Sequence, residues 1–131
     1  MKRAKKELED APKRVRKKWK DLDPTRLRSS ELAELYKQED PVANRIIGDA
    51  AKALGAAVGS MVNFLSPEVI VIGGGVAGAL GDGFLERVWE VAGKYFLPAA
   101  GEGVRCVPAA LNDDSGIYGA AAYARSRTNG K

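Results

Sequence analysis

A long stripe of apolar residues with helical spacing is the clearest pattern in the chain. Through the middle of the sequence apolar side chains recur every three or four residues, as on one face of an α-helix. Asp40-Pro41 offers a capping carboxylate followed by proline at the first helical position, and Ser66-Pro67 should end the helix because proline cannot continue it. Gly55 and Gly59 lie four residues apart and would let a facing backbone approach closely. The predicted stripe consists of Ile46, Ala50, Leu54, Ala57 or Val58, Met61 and Leu65.

Two short apolar runs predict strands. Residues 68–72 are mostly β-branched and stop at three glycines, which is typical of a parallel strand buried on both faces. Residues 104–108 form a second run, and residues 84–96 predict a helix between the two, so that the three elements make one right-handed βαβ unit. Because two parallel strands make a small sheet, we expect further strands from a preceding segment or a partner. The inward side of this helix is predicted to carry Phe84, Val88, Val91 or Ala92, and Tyr95.

The N-terminal part of the chain is predicted to be helical and basic. Residues 2–20 suggest one or two helices broken at Pro12, and residues 21–24 suggest a turn. Residues 1–28 carry 12 Lys/Arg against five Asp/Glu, whereas residues 29–131 carry nine against 12. Such an arm is able to bind phosphate backbones. The interspersed acidic residues favour a solvated helix instead, so we expect no nucleic-acid partner.

Two further helices flank these elements. Ser29 or Ser30 should cap the first, which runs to about Gln38. An Ala-rich helix from Ser115 to about Arg127 comes last, before a flexible tail at residues 128–131. The apolar side of the first helix is predicted to consist of Leu32, Leu35 and Tyr36.

Composition excludes several classes of site. The 131 residues, 45% hydrophobic and 29% charged, suit one compact lobe at residues 29–127 behind the basic segment at residues 1–28. Cys106 is the only cysteine and there is no histidine, which excludes an intrachain disulfide, a His/Cys metal cluster and a His-based triad. The longest apolar stretch, residues 67–80, is too short and glycine-rich to span a bilayer, and no secretory signal pattern is present. We therefore expect a cytoplasmic protein.

A glycine-rich loop, residues 73–83, follows the first predicted strand. Backbone without side chains can approach a flat or charged ligand closely, and N–H groups near a helix start favour anions. Residues 73–78 also satisfy G-x-G-x-x-G, the dinucleotide fingerprint. Against a dinucleotide, the next helix is predicted only at Phe84, no Walker-type Lys-Ser/Thr follows, and the further βαβ units of a doubly wound domain are missing. The loop by itself leaves open a nucleotide site or a tight turn without ligand.

Three segments together carry a resemblance to a known family. Residues 63–76 read NFLSPEVIVIGGGV after an Ala/Gly-rich helix, residues 111–122 read LNDDSGIYGAAA, and a helix from Ser29 leads into Asp-Pro-Val-Ala at residues 40–43. In this combination the chain resembles the C-terminal part of proteins of the ROK (repressor, ORF, kinase) family. The resemblance covers nearly the whole chain.

The resemblance implies an α/β fold, the C-terminal part of an actin-like (ribonuclease H-like) ATPase or sugar kinase lobe that is helix-rich with two parallel strands. It also implies ATP as the ligand, with Mg²⁺ in the complete enzyme, and a glucokinase-like activity. Carried over by position, Gly73, Gly74, Gly75 and Val76 are expected to lie against the adenosine of ATP.

Five other features take their roles from the same resemblance. Asn63 and Pro67 are expected to hold the glycine loop, and residues 119–122 to pack closely as a helix. Asp113 and Asp114 are as well explained by a loop or helix-cap signal as by ligand contacts, so no residue is assigned to catalysis.

The chain also departs from the family's pattern. It contains no D-x-G-x-T phosphate loop, no catalytic aspartate of that missing part and no His/Cys zinc cluster, so we expect neither a metal site nor turnover from this chain alone. The first hypothesis is a C-terminal nucleotide-binding portion of an ATP-dependent hexose kinase, in which sugar binds only to the complete protein. Two alternatives stay open, the sensor part of a ROK transcriptional repressor and a stand-alone interaction module. An unpaired sheet edge leaves both a homodimer and a partly molten monomer open.

Overall fold

The computed structural model describes residues 8–9, 13–19, 27–111 and 114–128. These residues form a helix-rich α/β structure with two strands, as predicted. The predicted turn at residues 21–24, Asp113 and residues 129–131 of the tail lie outside the described residues. The elements are α1 (Lys13–Trp19), α2 (Ser29–Lys37), α3 (Pro41–Leu65), β1 (Val69–Ile72), α4 (Gly75–Leu80), α5 (Asp82–Gly93), β2 (Arg105–Pro108) and α6 (Ser115–Thr128).

The start of α3 confirms the predicted cap and adds a contact that was not predicted. Asp40 Oδ1 accepts hydrogen bonds from the backbone N–H groups of Val42 at 3.0 Å and Ala43 at 3.1 Å. The same oxygen accepts from Trp19 Nε1 at 3.2 Å. The Asp40 carboxylate is 4% exposed, so one buried carboxylate both caps α3 and anchors α1. The helix ends at Ser66, which adopts a left-handed conformation with φ 44°.

The two glycines of α3 face α5, as their spacing predicted. A Cβ placed on Gly55 would lie 2.6 Å from Val91 Cβ and 2.8 Å from the Val88 carbonyl oxygen. A Cβ on Gly59 would lie 2.6 Å from Tyr95 Cβ. Real Cβ atoms do not approach other atoms so closely, so only glycine permits this helix spacing.

The predicted apolar stripe of α3 is confirmed only in part, since Val58 is buried and Ile46 and Leu54 pack against core clusters, whereas its last two residues are exposed. Met61 is 52% exposed and Leu65 is 64% exposed. The helix is buried along its small residues because these allow α5 to pack against its backbone, whereas the larger side chains flank that contact. The buried residues of α3 are Val42, Ala43, Ile47, Gly48, Ala51, Gly55, Val58, Gly59 and Val62.

The sheet is covered on one face only within the described residues. Strands β1 and β2 pair in parallel. Ile72 is buried in the main core cluster, and Ile70 and Cys106 pack against that cluster. Val71, on the opposite face of the same strand, is 60% exposed. The prediction of a strand buried on both faces is therefore wrong for this chain, because no described element covers the second face. The paired residues are Val69 and Arg105, Ile70 and Cys106, Val71 and Val107, and Ile72 and Pro108.

Helix α5 begins and ends earlier than predicted. It spans Asp82–Gly93, so Tyr95 lies beyond its end and is exposed. The inward positions Phe84, Val88 and Ala92 are buried as predicted, and Leu85 joins them. Together with α3 and the sheet, these side chains form the main core cluster.

Two shorter helices form a second cluster with the start of α3. Val15 and Trp19 of α1 pack with Leu35 of α2 and with Val42 and Ala43. The predicted apolar side of α2 is confirmed, since the side chains of Leu32 and Tyr36 pack against both clusters. The N-cap of α2 is Arg28, whose N–H donates to Glu31 Oε2 at 2.7 Å. Neither predicted serine occupies that cap position.

Helix α6 contributes no buried residue. A Cβ placed on Gly119 would meet no atom within 4 Å, so the close packing predicted for residues 119–122 is not found among the described residues. Just before the helix, the Asp114 N–H donates to the carbonyl oxygen of Leu111 at 2.9 Å, as in a turn. The high helix propensity of its alanines favours this helix, since none of its residues is buried against another described element.

Cys106 should react slowly in the folded protein. Burial raises the pKa of its thiol, so less of the reactive thiolate is present at a given pH. We expect alkylation by iodoacetamide at pH 8 to be several-fold slower in the native chain than in the chain unfolded in urea. The folded state binds this proton more tightly, so the associated stabilisation is present at neutral pH and is lost as the pH rises through the folded-state pKa. Equal rates in the two states, followed by mass spectrometry with Cys106→Ser as the blank, would contradict this burial.

Candidate functional site

The glycine turn at the end of β1 is tight and leads directly into a helix. Gly74 has φ 101° and ψ 166°, which side-chain-bearing residues rarely adopt. Helix α4 starts at Gly75, and the Gly78 N–H donates to the Gly74 carbonyl oxygen at 3.0 Å. The prediction of an open loop from Gly73 to Gly83 is therefore wrong, and the distance to the next helix does not argue against a dinucleotide.

The three glycines of the turn meet different surroundings. A Cβ on Gly73 would lie 2.8 Å from Ala109 Cβ, and a Cβ on Gly75 would lie 2.8 Å from Ser29 Oγ. A Cβ on Gly74 would meet nothing within 4 Å. Gly73 and Gly75 thus pack closely against Ala109 and Ser29, whereas Gly74 exposes its backbone to open space.

An open cleft of about 690 Å³ lies beside this turn. Of the four predicted ligand residues, only Gly75 lines it. Gly73, Gly74 and Val76 are exposed next to the cleft but are not part of its wall. The opposite wall is the beginning of α2, which sequence reasoning did not assign to the site. The lining residues are Leu27, Arg28, Ser29, Ser30, Gly75, Gly78 and Ala79.

The first residues of α2 give the cleft its polar character. Arg28 is exposed and contributes a guanidinium group. Ser29 and Ser30 line the cleft, and neither occupies the N-cap position of the helix. A cation, two hydroxyls and an exposed glycine backbone can together hydrogen-bond an anionic or hydroxyl-rich ligand. In the sequence, the only indication of this wall was the string Leu-Arg-Ser-Ser before an apolar helix. Such residues are as typical of a helix cap as of a binding site.

Asn63 has a role different from the predicted one. Its Nδ2 donates to the Tyr95 carbonyl oxygen at 2.7 Å, and its Oδ1 accepts from the Leu97 N–H at 2.9 Å. Both partners follow α5. The Asn63 amide therefore holds the connection from α5 to β2 against the end of α3, and makes no contact of this kind with the glycine turn.

The described residues lack two other features, a cluster of metal ligands and a membrane-spanning helix. Within residues 8–9, 13–19, 27–111 and 114–128, no three His, Cys, Asp or Glu side chains are grouped so that they could hold a metal ion. In the same part of the chain, no helix has both the length and the hydropathy that a bilayer crossing requires.

Comparison with known proteins places these features in a family. The sequence model of the ROK family matches residues 9–127. The glucokinase of Halalkalibacterium halodurans is 34% identical over 90 residues, which are 69% of this chain and 27% of the glucokinase. The glucokinase of Thermotoga maritima is 29% identical over 107 residues, 82% of this chain and 33% of that protein. An N-acetylmannosamine kinase of Yersinia pestis is 36% identical over 96 residues, 71% of this chain and 30% of the kinase.

The chain thus spans about a third or less of the length of these relatives. The family match nevertheless covers both strands, the glycine turn and the cleft, and nearly the whole of α6. The chain belongs to the ROK family.

Proposed function

We propose that this chain is the C-terminal nucleotide-binding part of an ATP-dependent sugar kinase, and that the cleft between α2 and α4 receives the nucleotide. The observation that carries the proposal is the exposed glycine turn after β1, whose backbone borders the polar cleft. The kinase names of the relatives support the reaction class and favour a kinase over a repressor.

The size and the residues of the cleft fit ATP. The volume of the cleft, about 690 Å³, lies in the range of small-molecule sites, roughly 300–1,000 Å³. The backbone at Gly74 leaves room for a flat group to lie against it, as does the exposed surface from Gly73 to Val76. Arg28 supplies a positive charge for a phosphate, and Ser30 a hydroxyl. ATP, when bound with Mg²⁺, would supply the phosphoryl group.

The remaining parts of the reaction are assigned to the complete protein. The sugar, the phosphate loop and the catalytic aspartate lie outside this chain in the proposed arrangement, which would be an actin-like kinase of two lobes. Phosphoryl transfer depends on the positions of those groups relative to ATP. We therefore propose that the chain alone binds nucleotide without turning it over, and that the complete protein acts in the cytoplasm.

Filling the cleft should weaken nucleotide binding without unfolding the chain. Ser30 is exposed on α2 and lines the cleft, so Ser30→Trp places an indole where the nucleotide would lie. Glu34 is exposed one turn later on the same helix and outside the cleft, so Glu34→Trp is the matched control. In calorimetric titration with Mg·ATP we expect saturable binding by the wild type and Glu34→Trp, and a loss of at least about tenfold in Ser30→Trp, which is about 1.4 kcal/mol.

Substitution of Gly74 would not discriminate as well, because its φ of 101° makes any side chain strain the turn itself. Equal ATP affinity in Ser30→Trp and wild type would contradict the assignment of the cleft. Binding of NAD without ATP by the same preparation would contradict the kinase assignment, and binding of neither would show that these residues do not form a nucleotide site.

A further inference from the structure

Helix α1 is attached to the rest of the chain through one buried side. Val15 is 5% exposed and Trp19 is 2% exposed. Both belong to the same buried cluster as Leu35 of α2. The Trp19 indole N–H also donates to Asp40 Oδ1, the N-cap oxygen of α3, at 3.2 Å. A hydrogen bond to a carboxylate is stronger than one between neutral groups. Trp19 therefore joins α1 to α2 by packing and to the start of α3 by a directed bond.

Leu27 connects this cluster with the nucleotide cleft. It packs against the cluster that contains Val15 and Trp19, and it also lines the cleft. Arg28, the next residue, lines the cleft as well and is the N-cap of α2. The Arg28 carbonyl oxygen accepts from the Leu32 N–H at 3.0 Å. The wall formed by the start of α2 thus rests on α1 on the side away from the cleft.

The two walls of the cleft approach each other closely at one point. A Cβ placed on Gly75 would lie 2.8 Å from Ser29 Oγ, so the start of α2 lies close to the backbone of α4 there. Leu32 and Tyr36 pack against both core clusters, so α2 lies between the main core and α1. A ligand that contacts both walls depends on their separation, and a site whose supporting residues are loose binds poorly. The packing of α1 against α2 is therefore expected to influence the cleft.

We propose that Trp19 is a positioning residue for the nucleotide cleft. It does not line the cleft, and it acts by holding α1 against the wall that contains Leu27 and Arg28. This role rests on the proposed function of the cleft. Because coupling between two sites is reciprocal, nucleotide in the cleft strengthens the docking of α1 by the same factor by which docking strengthens nucleotide binding. A change that releases α1 would lower the nucleotide affinity.

Trp19→Phe in the full 131-residue chain tests this role. The variant keeps an aromatic ring in the cluster and removes the indole N–H. Asp40 Oδ1 still accepts from the N–H groups of Val42 and Ala43, so the cap of α3 is retained. In calorimetric titration with Mg·ATP, at a temperature where the variant is fully folded, we expect the Kd to rise about fivefold or more.

Two further variants separate positioning from loss of stability. Val62→Ala leaves a cavity in the main core near the opposite end of α3, where Val62 is 0% exposed. It should lower stability and leave the ATP affinity of the folded chain unchanged. Val15→Ala removes a smaller part of the α1 contact and should weaken ATP binding less than Trp19→Phe does. It also provides the test if Trp19→Phe does not fold. A loss of affinity in Val62→Ala equal to that in Trp19→Phe would overturn the proposal.

Hydrogen exchange measures the same coupling without nucleotide. The Leu32 amide reports the first turn of α2, and the Lys94 amide, which donates to the Val91 carbonyl oxygen, reports the end of α5. In Trp19→Phe we expect exchange at Leu32 to be about fivefold faster or more, and exchange at Lys94 to be unchanged. In the wild type, Mg·ATP should slow exchange of the Trp19 amide.

The outcomes distinguish this role from the function of the cleft. If the wild type bound ATP and Trp19→Phe bound it equally well, or exchanged Leu32 at the wild-type rate, the positioning role alone would be overturned. If the wild type bound no ATP, the proposed function would be overturned and the positioning role with it.

Discussion

Gly55→Leu is expected to destabilise the chain by about 3 kcal/mol or more, at the upper end of overpacking in a core. Even the first atom of a side chain would lie 2.6 Å from Val91 Cβ and 2.8 Å from the Val88 carbonyl oxygen. The carbonyl belongs to the backbone of α5 and cannot rotate away, so the two helices would have to separate. Urea unfolding followed by circular dichroism measures the effect, and the midpoint should fall sharply or the cooperative transition disappear.

Gly83→Ala is the matched control for this substitution. Gly83 is the second residue of α5, and a Cβ there would meet nothing within 4 Å. We expect its free energy of unfolding to be unchanged or raised by about 0.5 kcal/mol, because alanine restricts the unfolded chain and favours helix. If Gly55→Leu unfolded at the wild-type urea concentration, the close approach of α3 and α5 would be wrong.

Asp40→Ala is expected to cost about 2–4 kcal/mol. Loss of a helix cap costs about 1 kcal/mol, and a buried donor left without an acceptor costs about 1–3 kcal/mol. Asp40 Oδ1 serves both functions, since it accepts from Val42, Ala43 and Trp19 Nε1. Alanine would remove the cap of α3 and leave the Trp19 indole N–H unpaired. Urea unfolding measures the loss of stability.

Fluorescence separates the two parts of this effect. In a Trp89→Phe background the emission reports Trp19, which is 2% exposed, and Asp40→Ala should shift it to longer wavelength as α1 loosens. Asp40→Asn keeps an acceptor oxygen in the same place and should retain most of the stability and the native emission. If Asn and Ala were equally destabilising, hydrogen bonding to this oxygen would not be what holds α1 and α3 together.

The sequence was sufficient to predict those elements that begin or end at a capping residue, a proline or a run of glycines. Asp40-Pro41 and Ser66-Pro67 predicted both ends of α3, since a cap and a proline act on the backbone within a few residues. The β-branched run before three glycines predicted β1 to within one residue. Gly55 and Gly59 predicted a close helix contact, although their spacing did not say which element would provide it.

The candidate site could be predicted only in part. The glycine turn was predicted because consecutive glycines after a strand indicate a backbone conformation that other residues rarely adopt. Gly74 has such a conformation, with φ 101°. The second wall of the cleft was not predicted. Arg28, Ser29 and Ser30 lie more than 40 residues before the turn along the chain, and only the packing of α2 against α4 brings them to Gly75.

By itself the sequence determined the order and type of the elements other than α4, the cap of α3 and the family to which the chain belongs. Each of these depends on residues that are close in the chain or on a linear motif. The tertiary structure alone decided that α3 packs through its glycines rather than through Met61 and Leu65, that Asn63 holds the chain after α5, and that one sheet face is uncovered. These features depend on which surfaces pack together. A hydrophobic pattern predicts only that one face of an element is buried, and does not identify the element that covers it.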